Sequence, residues 1–162
     1  MSTRMTVAGH PVHPMLVTIP IGLWVFSLIC DFVFISTGDT RWAVTAYFTL
    51  GGGIVGALVA AVPGLIDLLG LHDPKALRIG TYHLILNLAI VVIQAGNFWL
   101  RLEDGGNADV LPRAISIVAV ASLIASGWLG GHLVHVLGVT QPGAHAEGGH
   151  EEVRHDRLHP RT

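Results

Sequence analysis

The chain has 162 residues, 51% of them hydrophobic and only 12% charged, with a formal net charge of −2 and a mean hydropathy of +0.61. Soluble domains carry about a quarter charged residues, so this composition argues against an ordinary soluble fold. The lack of any basic run argues against nucleic acid as a partner.

In chain order, the first apolar segment covers about residues 15–36 and grows out of GHPVHPMLVTIPIGLW, residues 9–24, with two His-Pro pairs at its edge. A cleavable signal peptide is its rival reading. The segment is too long for a signal's apolar region, carries Asp31 and lacks a small-residue cleavage site after it, so a retained helix is expected. The only cysteine, Cys30, lies within it; it reads as a small core residue and rules out an internal disulfide. Further apolar segments follow at about 43–70, 79–100 and 112–137, joined by STGDTR, GLHDPKALR and RLEDGGNADVLPR. Each exceeds the ~20 residues that cross a ~30 Å hydrocarbon core. No stretch alternates with the period of a strand. The expected fold is all-α: an integral membrane bundle of four transmembrane helices, up and down, over residues 1–139. A disordered, His-rich polar tail is expected over 140–162.

Four crossings put both termini on one side. That side holds Arg4, Lys75, Arg78, Arg154, Arg157 and Arg161, against Arg41, Arg101 and Arg113 on the other. The positive-inside rule then favours cytoplasmic termini in a cell (inner) membrane, a bias that nearly vanishes when only residues near helix ends count.

The second segment places Gly52, Gly56, Ala60 and Gly64 at four-residue intervals, and the fourth repeats the device with Ser122, Ser126 and Gly130. Such stripes let helix backbones approach closely in lipid. Pro20 and Pro63 interrupt the first two helices and leave the carbonyls of Leu16 and Val59 without their amide donors.

Polar residues within membrane helices are costly, so their facing is informative. His13, Pro20, Ser27 and Asp31 share one face of the first helix, and His83, Asn87 and Gln94 share one face of the third. The small-residue stripe of the second helix runs into Pro63 and Asp67, while Trp128, His132 and His135 stack on the fourth. Turned inward, these faces form two polar layers. Asp31, with Gln94 and Asn97 as partners, lies toward the loop side; Asp67, His83 and His132 lie toward the terminus side. Asp31, Asn87 and Gln94 read as structural hydrogen-bonding residues.

All ten histidines fall on the terminus-bearing side or its adjacent turns. His13, His83 and His132 are expected at one level as candidate ligands, joined for a metal ion by His10 and Asp67. Asp67 can instead orient a histidine by accepting its second ring proton.

The stretches GHPVHPMLVTIPIGLW, VPGLIDLL, YHLILNLA and SGWLGGHLVHVLGV together resemble a bacterial and archaeal family of four-helix membrane proteins, domain of unknown function 2231, over about residues 9–139. The resemblance carries His10, His13, Asp31, Asp67, His83, Asn87 and His132 as the family's polar positions. His135 departs from it, because relatives more often have an aromatic residue there. Some relatives join this domain to a Rieske-type iron–sulfur domain, which implies work beside electron transfer and a membrane or iron–sulfur protein as partner. This chain has no iron–sulfur ligand set of its own.

Three functional readings follow. The first is a redox-associated module binding b-type haem, axially held by His83 with His13 or His132, since no Cys-x-x-Cys-His attachment motif exists. The second is a zinc, copper or iron site for binding or transport, with Asp67 completing the histidine set. The third is a structural partner domain without cofactor, whose polar core only sets helix pairing. The lipid bilayer is a partner in all three, and homo-oligomers are compatible with each. No nucleophile–base pair or phosphate loop supports an independent hydrolase.

Overall fold

The structure, a computed structural model, describes residues 5–8, 10–103 and 109–139. Four helical rods run up and down. The first is α1 (Val12–Leu16) continued by α2 (Thr18–Thr37); the others are α3 (Thr40–Leu69), α4 (Pro74–Glu103) and α5 (Val110–His135). All four are long and apolar enough to cross a membrane. At 1.5 Å per residue the 30-residue α3 and α4 reach about 45 Å, so their ends extend past a ~30 Å apolar core into the headgroups. The polar tail from residue 140 lies outside the described residues.

Helix ends follow local chemistry. Gly38 adopts a left-handed φ of 70° and closes α2, its amide donating to the Phe34 carbonyl, which glycine does without a Cβ penalty. Asp39 caps α3 by accepting from the Arg41 amide at 3.0 Å. The Arg41 guanidinium also pairs with Asp39 at 2.6 Å and holds its carboxyl below the ordinary carboxylate range. Asp73 accepts from the Ala76 amide at 2.8 Å, and Pro74 occupies the first position of α4, where a missing N–H costs nothing.

The two prolines act differently. The break between α1 and α2 falls at Val17, directly after Leu16, whose carbonyl Pro20 leaves without a donor. Pro63, in contrast, is carried inside an unbroken α3, so the expected interruption there is absent. A second difference is a two-stranded ribbon before α1, β1 (Thr6–Val7) paired antiparallel with β2 (His10–Pro11). Two residues per strand are too few to show an alternating pattern. Ala8 supports the turn with a φ of 51°.

The rods close into a ring: α2 packs along α3, α3 meets α4, α4 packs along α5, and α5 returns to α2. The α2–α3 seam rests on small residues. The Trp24 indole lies over Gly53, and Pro20 and Ile19 lie 3.4 Å from where a Gly56 Cβ would stand. Gly53 is buried whereas Gly52 is exposed, so the working stripe is Gly53, Gly56, Ala60 and Gly64. Across the α3–α4 seam Phe98 seats on Gly51 and stacks on Tyr47 at 4.5 Å. Trp24, Leu50, Ile90 and Ala119, one residue from each rod, form the buried apolar centre. Large apolar side chains such as Phe48, Val55, Ile85, Val92 and Ile124 point outward, as a surface in lipid requires.

Candidate functional site

Two polar layers sandwich the apolar centre. In the terminus-side layer, Gly64 on α3 leaves room for the imidazole of His13: a Cβ there would stand 2.7 Å from its Cε1 and Nδ1. His13 Nδ1 lies 2.8 Å from the Ala60 carbonyl oxygen, next along from the carbonyl that Pro63 frees. His83 repeats the arrangement on the opposite side of the ring. Its Cε1 is 3.2 Å from where a Gly130 Cβ would be, and its Nδ1 is 3.0 Å from the Ser126 carbonyl oxygen. Asn87, one turn on, donates to the His83 carbonyl and the Ser126 hydroxyl, both at 2.7 Å.

A carbonyl oxygen only accepts, so Nδ1 of each ring carries a proton, and in a neutral ring the lone pair is then on Nε2. Among the described residues neither Nε2 has a hydrogen-bond partner. The two rings meet edge to face, with centroids 6.3 Å apart and planes at 89°. Two imidazoles, from two helix pairs, therefore meet in one half-buried layer.

The other candidates lie elsewhere. His10 is exposed on β2, paired with Val7. Asp67 accepts from the Met5 amide at 3.1 Å and so helps tie the N-terminal ribbon to the end of α3. His132 is half-buried in the last turn of α5, and among the described residues its ring makes no hydrogen bond or ring contact with His13 or His83. Trp128 and His135, expected to face inward, are exposed, Trp128 to 78%. The inward face of α5 is instead Ser116, Ala119 and Ser126. Among the described residues no three His, Cys, Asp or Glu side chains are grouped to hold a metal ion.

The loop-side layer contains a residue that the sequence reading placed in a connection. Arg101 lies within α4, fully buried, and grips the equally buried Asp31 through two bonds of 2.8 and 2.6 Å. Its Nη2 also donates to Ser116 Oγ at 2.9 Å. Asn97 donates to Ser116 Oγ at 2.8 Å and to Gln94 Oε1 at 3.1 Å. Asn97 and Gln94 thus stand behind the arginine rather than on Asp31 itself. The signal was present in the sequence: Gln94, Asn97 and Arg101 follow at intervals of three and four, one helical face, opposite a carboxylate that needs a counter-charge.

A four-rod membrane bundle with one imidazole layer and one ion-pair layer is the class of protein these features define. Residues 9–143 match the family described as predicted membrane protein (DUF2231), and the chain belongs to it. No curated protein and no solved structure matches the chain.

Proposed function

We propose that this multi-pass membrane protein is a redox-associated module that holds b-type haem through His13 and His83. The observation that supports this reading is the imidazole pair itself. Both rings have Nδ1 tied to a backbone carbonyl, which fixes the tautomer and orientation that leave Nε2 free for iron. With centroids 6.3 Å apart, His13 and His83 are near enough that both would hold one bound haem. Two ligands suffice for haem, whereas a bare zinc, copper or iron ion would have to draw His132 or Asp67 toward the pair.

Haem, when bound, supplies one-electron chemistry. The chain's part is to hold both imidazoles by the carbonyls of Ala60 and Ser126 between apolar helices. The reading asks for a membrane or iron–sulfur electron-transfer protein as partner, and for cytoplasmic termini in the inner membrane.

A second reading has its own support. Each Nδ1 bond joins two rods, His13 linking α1 to α3 and His83 linking α4 to α5, so the imidazoles also act as interhelical clamps. One experiment separates the two. Detergent-purified protein, as isolated or after addition of haem, is expected to show a Soret band that shifts on reduction. The band is expected to be lost in His13→Ala and His83→Ala and kept in His132→Ala. A colourless protein that takes up no haem would overturn the haem reading, and zinc or copper found by elemental analysis would replace it with an ion site.

A further inference from the structure

The two ends of the bundle differ in how deeply their polar layers are buried. At the loop-side end Asp31, Asn97 and Arg101 have no exposed surface, Gln94 and Ser27 have 1%, and Ser116 has 2%. This burial is achieved by protein alone, and the polar groups there are matched to one another. Arg101 meets both oxygens of Asp31 and the hydroxyl of Ser116, Asn97 links Ser116 to Gln94, and Ser27 donates to the Ala46 carbonyl at 2.7 Å. A bidentate arginine–carboxylate pair braced by a hydroxyl and an amide holds its charge without needing water. Directly inside it, Trp24, Leu50, Ile90 and Ala119, one from each rod, form the buried apolar centre. His13, His83 and Asn87, on the far side of that apolar centre, are only half-buried.

We propose that the Asp31–Arg101 network is a standing closure of one end of the bundle. The interior then exchanges with water at the histidine end alone, and whatever reacts at His13 and His83 arrives and leaves on the face that carries the termini. The chain is thus a one-sided site and not a conduit across the membrane. Asp31 and Arg101 come from rods that are not neighbours in the ring, α2 and α4, and Ser116 adds a third, α5, so the ion pair spans the bundle as a crossbar. The inference is independent of which group the imidazoles bind.

Cys30, fully buried beside Asp31, is a built-in reporter. In proteoliposomes, a water-soluble maleimide confined to either face is expected to leave wild-type Cys30 unlabelled while labelling it fully after denaturation in detergent. Arg101→Ala strands the Asp31 carboxylate, draws water into the layer and is expected to raise the labelling rate by at least roughly tenfold from the loop face, because thiol reaction follows access. Should that variant not fold, Asn87→Cys in a Cys30→Ser background tests the other layer, and labelling from the terminus face alone is expected. Wild-type Cys30 reacting at the denatured rate, a folded Arg101→Ala no faster than wild type, or Asn87→Cys labelled from the loop face or from neither would overturn the proposal.

Discussion

An imidazole can reach the backbone of a neighbouring helix only where no Cβ stands in its path. Gly64 and Gly130 supply that gap for His13 and His83, so the two glycines fix the imidazole layer as firmly as the histidines do. Gly64→Ala puts a methyl 2.7 Å from the His13 ring, with the Ala60 carbonyl holding that ring from the side. The cost expected of such overpacking is about 1–3 kcal/mol. Gly96, with nothing within 4 Å of its Cβ position, is the control: Gly96→Ala gains up to about 1 kcal/mol from helix propensity. Tryptophan-fluorescence unfolding in mixed micelles measures both. Equal stability of the two variants would mean that the close seat of His13 on α3 is wrong.

Helix pairing rests on contacts of two strengths. Single bonds from side chain to backbone, such as Trp24 Nε1 to the Leu50 carbonyl at 3.2 Å and Ser27 to Ala46, join α2 to α3 and are each worth about 0.6 kcal/mol in a membrane setting. The Asp31–Arg101 pair is different, because removing one partner leaves a buried charge. Arg101→Met is expected to cost about 3–5 kcal/mol, whereas Asp31→Leu with Arg101→Met recovers most of that loss. The same unfolding assay checks the cycle, and a double variant no better than the single one would show that the pair is not coupled. The inward faces of α2 and α4 were legible in the sequence because polar residues recur there deep in apolar segments, where polarity is expensive. The face of α5 was not. Trp128, His132 and His135 sit near the helix end, where amphipathic rings rest at the headgroup level, so their polarity does not report facing. The small residues Ser126 and Gly130 do. Arg101 was missed for a related reason: a basic residue at a segment's edge looks like a loop charge until its counter-charge is sought.

Across the whole molecule, the four rods and their order followed from the length and apolarity of the segments, since a bilayer allows few alternatives. The N-terminal ribbon did not, because it depends on one turn at Ala8 and on the tie from Met5 to Asp67, neither of which leaves a periodic mark. Burial of Arg101 also changes the orientation argument. Counted as a loop charge, it stood against cytoplasmic termini; fully buried within the bundle, it is not presented at the membrane surface. Among described residues near helix ends, Lys75 and Arg78 remain exposed on the terminus side, while Arg41 and the half-buried Arg113 remain on the other. Arg41 still counts there despite its pair with Asp39, because acidic neighbours contribute little to orientation. The balance is close, so it should be easy to disturb. A C-terminal fluorescent-protein fusion is expected to glow and a C-terminal phosphatase fusion to be inactive, as cytoplasmic termini require. Lys75→Glu with Arg78→Glu is expected to give a mixed population in which both reporters signal, while Arg101→Met leaves the reporter ratio unchanged. Phosphatase activity in the parent fusion would place the termini, and with them the histidine mouth, on the opposite face.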